Sequence, residues 1–308
     1  MDNVDAGDAR DAGGDLGNRH DVDGMDLGGR SVVVTGGTRG VGAGIARAFV
    51  RAGARVLVCA RRPPEAPVEG TEFTSVDLRD PSAVQAFFDA LPRLDVLVNN
   101  AGGAPFRPLA RAGAERHARV IELNLTAPLT ASLAAYPHLR RARGSIVMIG
   151  SVSGTRPSPG SAAYGAAKAG LESLARSMAV EWAPDVRVNT LVVGMVRTGS
   201  SHLHYGGEDG ITAVSRTVPL GRLAEPSDVG GAAVFLASDA AAYISGASLL
   251  VHGGGERPAF LDAATVNRAD PTDRTDRIHE ADTVGRTETA DRDRQDRPDQ
   301  PDRPGGPR

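Results

Sequence analysis

Residues 31–53, SVVVTGGTRGVGAGIARAFVRAG, decide the fold. Ser31 to Thr35 is a short β-branched run of the kind that fills a buried strand. A glycine turn follows it. From Val41 the apolar residues recur at helical spacing until Gly53 stops the pattern. ARVLVCA (54–60) then reads as a second buried strand. Strand, turn, helix and strand in this order describe a crossover between parallel strands, which is right-handed.

The alternation continues along the chain. FTSVD (73–77) is a weaker strand, Pro81 opens the helix PSAVQAFFDAL, and LDVLVNN (94–100) is a fourth strand. A long helical region from about Ala112 to Leu139 leads to GSIVMIG (144–150), and a helix from Ser161 to Ala183 leads to VRVNTLVV (186–193). A helix from Pro226 to Leu236 and the strand ASLLVH (247–252) complete the series. Continuous apolar strands separated by helices predict an α/β fold, a single Rossmann-type doubly wound parallel sheet of about seven strands with helices on both faces. In such sheets ligands bind beyond the carboxyl ends of the strands, where the strand order reverses.

Composition sets the boundaries. Residues 1–27 hold eight Asp and two Arg, and residues 256–308 hold 13 acids and 10 Arg, ending DRDRQDRPDQPDRPGGPR. Neither segment has the apolar content to offset its ordering entropy, so both are expected to be disordered tails around one α/β domain at 28–255. With the whole chain at −3, that domain carries about +6, which suits a phosphate-bearing ligand. Aromatic residues make up 4% and no basic stripe is interleaved with them, which argues against nucleic acid as a partner. The single cysteine, Cys59, excludes an internal disulfide and a cysteine-based zinc site, and no metal is expected. No 18-residue apolar run and no apolar leader are present, so a cytoplasmic protein without membrane contact is expected.

The chemistry concentrates in residues 151–168, SVSGTRPSPGSAAYGAAK. Lys168 is the only lysine in 308 residues; every other cationic side chain apart from histidine is arginine. A compact ammonium fits beside a phenol and reaches sugar hydroxyls where a planar guanidinium does not. On a helix, Tyr164 and Lys168 stand at i and i+4 and share a face. A tyrosine whose ordinary pKa of ~10 is lowered by a neighbouring cation makes a general acid/base.

The glycine turn supplies a second function. Gly36, Gly40 and Gly42 permit the tight turn and let backbone N–H groups approach a pyrophosphate at the positive end of the following helix. An NAD site would place an acid at the end of the second strand to hold the ribose 2′-hydroxyl, yet no acid lies between Asp26 and Glu65. Arg61, with Arg39 from the turn, could instead hold a 2′-phosphate. NADP(H) is therefore expected over NAD(H), the alternative being that Arg61-Arg62-Pro-Pro is a solvated turn.

Taken together, TGGTRGVG (35–42), Asp77-Leu78, NNAG (99–102), Asn124, Ser151, YGAAK (164–168) and VGMVRT (193–198) resemble the short-chain dehydrogenase/reductase family from about Gly29 to Gly255, similar to its 3-oxoacyl-carrier-protein-reductase-like members. The resemblance implies that Tyr164 protonates the carbonyl oxygen during reduction, that Lys168 lowers its pKa and holds the nicotinamide ribose, and that Ser151 hydrogen-bonds the substrate oxygen. Asn124 would hold a water in a proton relay, or else act as a polar residue at a helix kink. Asp77 would contact the adenine with Leu78 beside it, or else cap the helix at Pro81. The cofactor site would further include Gly36, Thr38, Arg39, Gly40, Val41, Gly42, Arg61, Asn99, Ala101, Gly102, Gly194, Val196 and Thr198. The chain departs from the family at Val193-Gly194, where Pro-Gly is frequent, and at His252, where Asp is frequent.

By the same resemblance, residues 199–222 correspond to a substrate lid, in which His202, His204 and Tyr205 either face the substrate or lie on a solvated loop. The substrate is expected to be a small carbonyl or alcohol compound, with acyl thioesters among the candidates. Arg140, Arg141, Arg143 and Arg176 could meet an acidic carrier protein or simply solubilise a helix end. The two long helices imply a homotetramer or homodimer. An NAD-dependent alcohol dehydrogenase and a non-catalytic cofactor sensor are the competing readings, the first opposed by Arg39 and Arg61, the second by Ser151, Tyr164 and Lys168 together.

Overall fold

The computed structural model describes residues 24–265. The chain divides into two units, Met1–Glu256 and Arg257–Arg308, and the first contains the sheet. The described part of the second holds a short helix at Ala259–Ala263.

The opening stretch forms β1 (Ser31–Thr35), α1 (Gly40–Arg51) and β2 (Arg55–Ala60), with β1 and β2 parallel and Val33 opposite Leu57. β3 (Thr71–Ser75), α2 (Pro81–Asp89), β4 (Val96–Asn99) and β5 (Ser145–Ser151) follow. After β5 come α5 (Ala162–Glu181), β6 (Arg187–Val193), α8 (Pro226–Ala237) and β7 (Ser248–Val251). The strands stand in the order β3-β2-β1-β4-β5-β6-β7, all parallel. β1 pairs with β2 on one side and β4 on the other, so the order reverses there and opens a crevice at the carboxyl ends.

Two cores cover the sheet. Val32, Val34, Val56 and Val58 point to one face, where they pack with Ile45 and Phe49 of α1 and Val229 and Ala233 of α8. Val33, Leu97, Ile146 and Met148 point to the other, against Phe88 of α2 and Leu171 of α5. Alternate residues of each strand thus serve different faces, which explains the uninterrupted apolar runs. α1 and α8 meet at glycines: a Cβ on Gly44 would lie 2.6 Å from the Pro226 carbonyl, and one on Gly230 would lie 2.8 Å from Gly44 O.

The structure corrects the sequence-based expectations in three places. Leu27, expected in a disordered tail, is fully buried and its N–H donates to Ala52 O at 2.8 Å. The remainder of the expected tails, 1–23 and 266–308, lies outside the described residues. The expected helix at 112–139 is α3 (Ala114–Ile121), a π turn at Glu122–Thr126 and α4 (Ala127–Ala142). The expected lid loop contains two short helices, α6 (His202–Tyr205) and α7 (Glu208–Ser215), over a small core of Ile211, Val218 and Leu223. Among the described residues no helix is long and apolar enough to cross a membrane.

Candidate active site

Three strand ends assemble the site. β1 runs into the glycine turn, where Gly36 (φ 63°) and Gly40 (φ 54°) occupy the left-handed region that favours glycine. A Cβ on Gly36 would lie 2.9 Å from Ala101 Cα, and one on Gly42 only 2.3 Å from Gly36 O. α1 starts at Arg39 with no side-chain cap and no acid in its first turn, so its amino-terminal N–H groups remain available. Its positive end and a turn that only glycine fills fit a pyrophosphate. Thr38 is half-buried in the turn, Arg39 is exposed, and Val41 is half-buried at the helix start.

β4 supplies the second wall. Asn99 turns into the core, its Nδ2 donating to Ser132 Oγ at 2.9 Å. The neighbouring Asn100 is the side chain that reaches the glycine turn, donating from Nδ2 to Thr35 O at 2.9 Å and Gly36 O at 3.2 Å. Thr35 Oγ1 in return accepts from the backbone N–H of both Asn100 and Ala101 at 3.0 Å. Sequence reading missed Thr35 and Asn100. Period-two alternation was the available signal: with Asn99 inside β4, its successor points to the opposite face.

Gly102 and Gly103 lead to Asn124, which lies fully buried in the π turn. Asn124 Oδ1 accepts from Gly103 N at 2.8 Å, and its Nδ2 donates to Val120 O at 2.8 Å and Gly103 O at 3.1 Å. Its side chain therefore takes up groups that the widened helix turn frees and ties them to the strand loop. A Cβ on Gly102 would meet Asn124 Oδ1 at 2.5 Å and Lys168 Nζ at 3.5 Å, so Asn124 and Lys168 border the same small space.

β5 ends at Ser151, and α5 carries Tyr164 and Lys168 on one face, as their spacing requires. Lys168 Nζ donates to Ile149 O at 2.7 Å and stands 5.6 Å from the centre of the Tyr164 ring. Burial pushes the ammonium down to about 8. Burial raises the Tyr164 phenol, and the hydrogen bond with Ser151 opposes that rise. The expected lowering of Tyr164 by Lys168 is thus not what governs it here: desolvation wins, and the hydroxyl that counters it is that of Ser151. Ser151 Oγ also accepts from Ser153 N at 3.2 Å.

The remaining predicted residues fall around these. Gly194 packs where a Cβ would lie 2.7 Å from His252 Cβ, Val196 bridges to Ala224, and Thr198 Cγ2 lies 3.6 Å from the Cβ position of Gly40. The start of the 199–222 segment is thereby set beside the glycine turn. Asp77 follows β3 but is held by Arg79 in a two-point ion pair, Nη2–Oδ2 2.7 Å and Nε–Oδ1 3.0 Å, which pulls its carboxyl down to about 2. The cap of α2 is Asp80, which accepts from Ser82 N and Ala83 N. Leu78 is buried in the core. Arg61 lines a cavity of about 240 Å³ with Gly103, Val120 and Leu123. His202 and His204 are exposed, whereas Tyr205 packs on the small lid core. Arg140 pairs with Asp185 at 3.0 Å and Arg141 with His138. Among the described residues, no group of three or more His, Cys, Asp or Glu is placed to hold a metal.

A doubly wound parallel sheet, a glycine turn before α1, and a Ser–Tyr–Lys set at the ends of β5 and α5 define an oxidoreductase of the NAD(P)-dependent class. The chain belongs to the short-chain dehydrogenase/reductase family: the family model described as enoyl-(acyl carrier protein) reductase matches residues 36–256. It is 37% identical over 243 residues to L-fucose dehydrogenase of Oryctolagus cuniculus, covering 74% of this chain and 85% of that one. It is 35% identical over 242 residues to the 3-oxoacyl-[acyl-carrier-protein] reductase FabG of Vibrio cholerae, covering 75% and 98%. Among solved structures it resembles a putative NAD(P)-dependent gluconate 5-dehydrogenase from Beutenbergia cavernae with bound NADP, at 35% identity and a TM-score of 0.71, covering 75% and 98%.

Proposed function

We propose that the chain is an NADPH-dependent carbonyl reductase in which Tyr164 is the general acid. The observation that carries the cofactor choice is the end of β2: Arg61 lines the cavity beyond it, and the chain carries no acid from the end of β2 until Glu65 to accept from a ribose hydroxyl. When bound, the nicotinamide supplies the hydride. Ser151 holds the carbonyl oxygen with its hydroxyl, and Tyr164 delivers the proton to that oxygen as the C–O bond becomes single. A phenol whose pKa is raised by burial is fully protonated at neutral pH, the state reduction requires. In this reading Lys168, whose Nζ donates to Ile149 O, also holds ribose hydroxyls and favours the tyrosinate left behind, and the shared helix face with Tyr164 supports that role. Asn124 holds the π turn and the Gly102–Gly103 loop against the Lys168 side.

The residues assigned by resemblance to the cofactor stand in this reading as proposals, with Asn100 and Thr35 added as the braces of the glycine turn. The NADP-bound relative supports the cofactor, and the relatives' names support a small hydroxyl- or carbonyl-bearing substrate without choosing one. We assign a cytoplasmic location and a homo-oligomeric state. Ile121 on α3, Leu133 on α4 and Val180 on α5 are exposed apolar residues that a second copy would cover. Titration of the protein with NADPH and NADH, followed by NADPH oxidation against ketones and β-ketoacyl thioesters, tests the proposal. Tighter NADPH binding and turnover of one carbonyl class are expected; a preference for NADH with alcohol oxidation only would replace it with the dehydrogenase reading.

A further inference from the structure

The cavity of about 240 Å³ beyond β2 is lined by four arginines, Arg61, Arg79, Arg116 and Arg119, and by no acidic residue. They differ in what already holds them. Arg79 is taken by Asp77 through its two-point ion pair, with Glu122 adding a weaker attraction. Arg119 lies 3.8 Å from Glu115 on the next turn of α3. Arg61, just past β2, feels the Asp77 carboxylate only as a weaker attraction behind Arg79, and neither it nor Arg116 on α3 has a carboxylate within 4.0 Å among the described residues.

We propose that Arg116 is a specificity-determining residue for the 2′-phosphate of the cofactor, completing with Arg61 an anion site that Arg79 and Arg119 do not join. The inference rests on the NADPH reading and extends it to a residue of α3. Two arginines that line one cavity with no carboxylate at ion-pair distance can both donate charge-assisted hydrogen bonds to a dianionic phosphate. A ribose hydroxyl carries no charge to attract them, so the gain falls on the phosphorylated cofactor alone. Arg79 contributes little, because its forked donors are already matched to a carboxylate that is fully ionised at neutral pH.

The test is the dissociation constant of NADPH and of NADH for the wild type, Arg116→Gln and Arg79→Gln, each at low and high salt. Arg116→Gln is expected to weaken NADPH by on the order of tenfold, leave NADH nearly unchanged, and flatten the salt dependence of NADPH binding. Arg79→Gln is expected to leave the NADPH-to-NADH ratio within about twofold of wild type, within the range of a carboxylate-neutralised surface arginine. Equal loss of both cofactors in Arg116→Gln would make the residue a wall of the adenine pocket and overturn the proposal. A wild type that prefers NADPH with an unchanged ratio in Arg116→Gln would overturn this inference alone. A wild type that binds both equally would remove the NADPH reading on which it stands.

Discussion

Lys168→Met is expected to abolish catalysis without destabilising the protein alone. Burial lowers the folded-state ammonium from its ordinary 10.5 to about 8. Converted at about 1.4 kcal/mol for each pH decade, that gap corresponds to roughly 3 kcal/mol of stability withheld from the folded state at neutral pH. Between pH 8 and 10.5 the unfolded chain still binds the proton and the folded chain does not, so this group makes stability rise with pH across that window. Methionine removes the buried charge but also the hydrogen bond to Ile149 O, a loss of about 1–3 kcal/mol. At pH 7 the variant should therefore be as stable as wild type or more so, by up to about 2 kcal/mol. The two should converge, and their order reverse, as pH approaches 10. Other groups titrate in the same range: the buried Cys59 thiol is pushed up to about 12, and burial raises Tyr164 and Tyr205. Urea unfolding of both proteins at pH 7 and pH 10 cancels the Cys59 and Tyr205 contributions in the difference, and repeating the pair in a Tyr164→Phe background removes that of Tyr164, whose ring centre lies 5.6 Å from Lys168 Nζ. A variant less stable than wild type by more than about 1 kcal/mol at pH 7, with a pH-independent difference, would refute the account.

The other predictions concern single contacts. Tyr164→Phe should lose turnover by several orders of magnitude while NADPH still quenches or shifts protein fluorescence; substantial residual reductase activity would remove Tyr164 from its role. Gly42→Ala places a methyl 2.3 Å from Gly36 O, so the glycine turn must open; cofactor affinity should fall and stability drop by about 1–3 kcal/mol, read by titration and urea unfolding. Asn124→Ala strips the partners of Gly103 N and Val120 O and should cost about 1–3 kcal/mol, with kcat lowered more than KM is raised.

Much of this was legible from local pattern. β-branched runs, glycine punctuation and helical spacing determined the strands, the parallel sheet and the position of the glycine turn, because each depends on residues close in sequence. The shared face of Tyr164 and Lys168 followed from helical periodicity alone. The π turn at Glu122–Thr126 did not, since what stabilises it is Asn124 bonding to Gly103, 21 residues away. Nor did the division of labour between Asn99 and Asn100, which depends on which face of β4 meets α4 and which meets the turn. Leu27 was read as tail because a single apolar residue among aspartates carries no periodic signal, yet the docking of its backbone on Ala52 draws it into the core.

Charge shows the same limit. The sequence determined that Lys168 is the one lysine and that arginines abound, but not what each cation faces. Tertiary structure decided that Lys168 is desolvated on Ile149 O, that Arg79 is matched to Asp77, and that Arg61 and Arg116 share a cavity. Such environments are sums over groups distant in the chain. Burial and charge pairing act through space, while sequence patterns record only neighbours along the backbone.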